Sequence, residues 1–122
     1  RDTNVLGLKK DSITAIAFSY PDSSFTLSKS KEGPWLVASQ PADSANMQQY
    51  LNGLSYVTSR NFTDVQQGGE AYTVTYSTTD GAEVKVYGYS NNIFASTENE
   101  YEAFQDESVH VKLFKGKAYF LK

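Results

Sequence analysis

Residues 71–89, AYTVTYSTTDGAEVKVYGY, restrict the fold of this chain more than any other stretch. Tyr72, Val74 and Tyr76 alternate with polar neighbours, Asp80-Gly81 follows, and Val84 and Val86 resume the alternation. A side-chain period of two collects one apolar row on one face of a strand, and Asp-Gly supplies the backbone a tight turn needs. The stretch therefore predicts a β-hairpin with one face to be covered.

Other segments repeat the pattern. ITAIAFSY (13–20) sets Ile16, Phe18 and Tyr20 two apart, PDSS (21–24) reads as a turn, and FTLSKS returns with Phe25 and Leu27. Lys31 to Pro34 make the next turn, and WLV is a short third strand with Trp35 and Val37 on one side and Leu36 on the other. A helix is expected next, over about 43–57. Asp43 is suited to cap it by accepting from free backbone N–H groups, and Met47, Tyr50, Leu51, Leu54 and Val57 form one apolar stripe. QQGGE (66–70) reads as a glycine-bearing loop before the hairpin.

Beyond the hairpin, Ile93 to Ser96 reads as a strand, and 97–108 is acidic and ambiguous. VHVKLF, the turn Lys115-Gly116 and KAYFLK read as a terminal hairpin. The expected class is α+β: a mainly antiparallel sheet with one principal helix packed on one face, in the order β-β-β-α-β-β-β-β. The helix stripe would cover the aromatic rows of the strands. No linker or internal repeat is legible, so residues 1–122 are read as a single domain. The start at Arg1 suggests a piece of a longer or processed chain, with a signal or lipoprotein segment removed.

Composition narrows the function classes. Nine Tyr and seven Phe give a chain of 122 residues enough area for a core. A net charge of −3 and the lack of any basic run argue against nucleic acid. Without cysteine there is no disulfide, zinc-thiolate site or cysteine nucleophile. No apolar run is long enough to span a membrane as a helix.

Ile13, Ile16, Phe25, Leu27, Trp35, Val37, Pro41, Ala42 and Asp43, with Leu51 and Leu54 on the helix, form a pattern over most of the chain. With Asp80-Gly81 and Ala118-Tyr119-Phe120-Leu121, it resembles the domain of unknown function 4340 family. Two features depart from it. VYGYSNNIF matches only loosely the strand where that family places a clear glycine, and 97–108 looks inserted. The resemblance implies a bacterial envelope domain, periplasmic or at the cell surface, often lipid-anchored and sometimes accessory to a gliding-motility-type transporter. It implies no catalytic residues.

The residues offer little chemistry of their own. His110 is the single histidine and is expected on a solvated strand face; one histidine makes neither a metal site nor a catalytic triad. Glu98, Glu100, Glu102, Asp106 and Glu107 could offer oxygens to a hard cation, but they lack calcium-loop spacing. Gly68-Gly69 lacks the context of a phosphate cradle. No catalytic residue, metal or cofactor is assigned, and the chain is read as not an enzyme.

Tyrosines carry the remaining signal, since each joins a rigid apolar face to a polar tip. Tyr87 and Tyr89 lie opposite Val84 and Val86 and would point outward if the valines are core. Two functions follow. The first is a non-catalytic envelope domain that works by contact with a protein partner. The alternative is a small-ligand or carbohydrate-binding module using exposed tyrosines. A flat apolar patch or open strand edge would favour the first, and a concave pocket lined by two or more tyrosines the second.

Overall fold

The computed structural model describes residues 1–65, 68–69 and 71–122. Of the predicted loop over 66–70, residues 66, 67 and 70 thus lie outside the described residues. The strands are β1 (Asn4–Leu6), β2 (Ile13–Tyr20), β3 (Ser23–Lys29), β4 (Trp35–Val37), β5 (Gln40–Pro41), β6 (Val57–Thr58), β7 (Phe62–Thr63), β8 (Tyr72–Thr78), β9 (Glu83–Gly88), β10 (Ile93–Ser96) and β11 (Asn99–Gln105). The helices are α1 (Ser44–Asn52), α2 (Glu107–Leu113) and α3 (Lys117–Phe120). Nine strands form one antiparallel sheet in the order β5-β4-β3-β2-β8-β9-β10-β11-β7, and β1 pairs with β6 separately. The α+β class stands.

The hairpins predicted over 13–30 and 71–89 are present. Phe18 faces Phe25 across β2–β3, and Val74 faces Val86 across β8–β9. Gly81 adopts a φ of 85° in the second turn, and Asp80 accepts there from the Ala82 N–H. A backbone of that hand is where glycine replaces a side chain without strain.

The sheet has a doubled plan. A meander β2–β5 followed by α1 meets a meander β8–β11 followed by α2, joined antiparallel through β2 and β8. Both helices carry a capping aspartate: Asp43 accepts from the Asn46 N–H at 3.0 Å and Asp106 from the Val109 N–H at 3.3 Å. The repeat is one of hydrophobic period and cap, with no shared residue string, so it is not legible as a sequence repeat.

Both helices cover one face of the sheet. Met47, Tyr50 and Leu51 of α1, Val109 and Leu113 of α2, and Phe120 of α3 join Ile16, Phe18, Leu27, Trp35, Val74, Tyr76, Val86, Phe94 and Phe104 in one buried cluster. Tyr50 ties the layers together. Its hydroxyl donates to the Leu113 carbonyl at 2.8 Å and so accepts from Tyr76, 2.7 Å away. The far face is short and polar: Ala17 pairs with Thr26 and Thr75, and Ser19 with Ser24 and Thr73.

The expected order β-β-β-α-β-β-β-β is corrected in three places. First, the helix expected to reach Val57 stops at Asn52. Gly53 follows, and its N–H bonds the carbonyls of both Gln49 and Tyr50, tightening the last turn. Glycine is a poor helix residue, and Val57 instead pairs with Leu6. The whole stripe, Leu54 and Val57 included, is nevertheless buried.

Second, the predicted C-terminal hairpin is helical. Asp106 caps α2, and Val109 and Leu113, four apart, are buried, whereas Val111 is 55% exposed. A strand would have put both valines on one side. Third, the acidic segment, which the sequence left ambiguous, is mostly β11, paired with β10 and β7.

Candidate functional site

Tyr87 and Tyr89 are both half-buried. Tyr87 lies on the far face between Thr73 of β8 and Ala95 of β10, opposite the buried Val86. Tyr89 follows the end of β9, where its N–H bonds the Ile93 carbonyl. Neither ring is among the walls of the hollows described below.

A different pair of tyrosines does line a hollow. Tyr20, at the end of β2, and Tyr72, at the start of β8, stand on the helix-covered face at the rim of the core. Their rings meet edge to face, with centroids 5.5 Å apart and planes at 78°. With Asp22 of the β2–β3 turn, His110 of α2 and Phe114 just after it, they line an open hollow of about 290 Å³. Phe114 lies 6.2 Å from Tyr72, and its ring is 4.5 Å from that of His110. The hollow is small and four of its five walls are aromatic.

Tyr20 and Phe114 are each held in place by a specific contact. The Tyr20 hydroxyl donates to the Lys115 carbonyl, which fixes the ring against the turn after α2. Burial, helped by the neighbouring Tyr72, raises its pKa, so the phenol stays protonated. Phe114 fits because Gly88 has no side chain: a Cβ there would stand 2.6 Å from the tip of the ring. The departure VYGY thus holds a glycine with a packing role.

His110 is not on a strand, as the sequence suggested. It sits on α2, half-buried beside Phe94, Phe114 and Tyr72. Burial lowers its pKa from the ordinary histidine value, partly offset by a backbone hydrogen bond to Tyr89. Its Nε2 is buried and has no hydrogen-bond partner among the described residues. Asp22 is exposed and takes part in no ion pair or side-chain hydrogen bond among the described residues.

The acidic residues of 98–107 are dispersed over separate tasks. Glu98 accepts from the Gly7 N–H at 2.7 Å, and Glu102 binds the Arg1 guanidinium at 2.8 Å. Asp106 accepts from Ser59, Asn61, Ser108 and the Val109 N–H. Among the described residues, no three His, Asp or Glu side chains converge as a metal site would require. No described helix is long and apolar enough to cross a membrane.

Other hollows have less to offer a ligand. One of about 360 Å³ runs between α1 and Gly33, Pro34 and Trp35, but Trp35 is only 6% exposed and shows little of its ring. The outermost strands of the sheet, β5 and β7, have two residues each, too few to template an added strand. The large exposed apolar residues Tyr56, Val65, Tyr72, Tyr101 and Val111 are spread over different elements. No family model, curated protein or solved structure matches the chain.

Tyr20 and Tyr72 carry the same two-residue alternation as core residues, and only the position of α2 makes them rim. The hairpin pattern of 109–122 hides that position.

Proposed function

We propose that this chain is a non-catalytic binding module that holds a small ligand in the hollow between Tyr20, Tyr72 and α2. The observation that carries the reading is the convergence of three large rings and one carboxylate on a single concavity. Concave, mostly apolar sites with a few placed polar groups are the usual form of small-ligand pockets. The volume is at the bottom of their range of roughly 300–1,000 Å³, which suits a headgroup or single ring rather than an extended molecule.

Contact with a protein partner has weaker support, since the sheet ends in minimal strands and no broad apolar patch is formed by the exposed residues above. The family resemblance adds the setting: an envelope domain, periplasmic or at the cell surface, in the service of a transporter. A ligand-binding accessory would fit that place.

The test is ligand-observed NMR with a panel of neutral hexoses and small alkylammonium ions. At least one member is expected to bind, and Tyr72→Ala should abolish the signal while Tyr87→Ala leaves it intact. Binding that survives Tyr72→Ala, or is lost in Tyr87→Ala, would move the site elsewhere.

A further inference from the structure

The hollow's chemistry narrows the ligand further, on the premise that it is a binding site at all. A flat sugar needs a ring platform and several hydrogen-bonding groups. Here the walls stand steeply to one another: Tyr20 and Tyr72 at 78°, Tyr72 and Phe114 at 53°. Walls at such angles offer a flat ring no single stacking plane. Tyr20 has also spent its hydroxyl proton on the Lys115 carbonyl. Few donors remain for a polyol.

Charge points the same way. Aromatic faces carry negative potential, and a cation within about 6 Å of a ring centroid is attracted to it. Tyr20, Tyr72 and Phe114 supply three such rings, and Asp22 adds a carboxylate. No lysine or arginine lines the hollow. The Lys115 ammonium sits 4.7 Å over the Tyr119 ring and lines a different hollow. The one base in the wall, His110, faces the rings of Tyr72, Phe94 and Phe114, with Asp22 as the only acid lining the same space.

We infer that the hollow is an aromatic cage for a quaternary or methylated ammonium group, with Tyr20, Tyr72 and Phe114 as its walls and Asp22 as its counter-charge. The ammonium enters as a whole cation. No bond forms or breaks, and the rings exclude water from its methyl groups while Asp22 balances its charge. The same headgroup occurs free and at the end of a choline lipid, and both present the same trimethylammonium to the rings.

The experiment compares choline with 3,3-dimethylbutan-1-ol, its neutral carbon counterpart of equal shape, by titration calorimetry and by the ligand's methyl NMR signal. Choline is expected to bind at least about tenfold more tightly than the alcohol, with its methyl signal moved upfield by the rings. Asp22→Asn should weaken choline by about tenfold and leave the alcohol unchanged. Asparagine suits a turn as aspartate does, so an unaltered melting curve will show that the fold is kept. Equal binding of choline and the alcohol would overturn the cation inference but leave the binding hollow standing. Binding of a hexose alone would do the same. If neither probe nor any hexose perturbs Tyr72, both readings fall. Competition by phosphatidylcholine vesicles, but not by phosphatidylglycerol vesicles, would identify the lipid headgroup as the source. Binding of free choline without such competition would identify a soluble ammonium compound.

Discussion

Asp106 shows how much one side chain can organise. It caps α2 through the Val109 N–H and, through Ser59 and Asn61, ties that helix to the segment between β6 and β7. Desolvation alone would raise its pKa, but the bonds from Ser59, Ser108, Val109 and Asn61 outweigh it and hold the carboxyl below its ordinary value. A carboxyl whose pKa is depressed on folding stabilises the fold above its unfolded pKa, and that contribution fades as pH falls through the folded value. Asp106→Ala is therefore expected to cost about 1–2 kcal/mol near neutral pH. Urea melts should show the gap to the parent protein closing below the ordinary aspartate range. A gap that does not change with pH would show that the carboxylate's charge has no part in the effect. None of this was legible from the acidic run, because neighbouring carboxylates give no sign of which one meets a helix end. Asp43 was legible, since it stands directly before an apolar stripe of helical period.

At the scale of elements, the hairpins could be read because alternation and turn chemistry agree, as in Asp80-Gly81. The β4–β5 turn could not. Ala38 and Ser39 take φ values of 47° and 73° there, without the glycine or asparagine that would announce it. α2 was missed because Val109 and Val111 mimic a strand while Val109 and Leu113 mark a helix. That error hid the pocket, since α2 brings His110 and Phe114 over the sheet. The contact of Phe114 with Gly88 anchors this helix. Gly88→Ala would press a methyl into the ring and is expected to cost about 1–3 kcal/mol, with Phe114 displaced toward the hollow. Adding Phe114→Leu should recover part of the loss, a coupling that a double-mutant cycle in urea would measure. Additive effects would mean that the ring does not rest on Gly88.

For the whole molecule, two meander-plus-helix halves joined at β2–β8 place both helices on one face and leave a polar Ser/Thr/Ala face on the other. The hollow lies where the end of β2 and the start of β8 meet α2. It is therefore a consequence of how the halves join, which no single segment of sequence contains. Trp35 belongs instead to the core at the other end of β2–β4. The most direct test is aromatic-side-chain NMR during a titration with tetramethylammonium. The resonances of Tyr20, Tyr72 and Phe114 are expected to shift together and saturably, with Trp35 and Tyr87 unmoved. Shifts confined to Trp35 or Tyr87, with Tyr72 silent, would contradict the account.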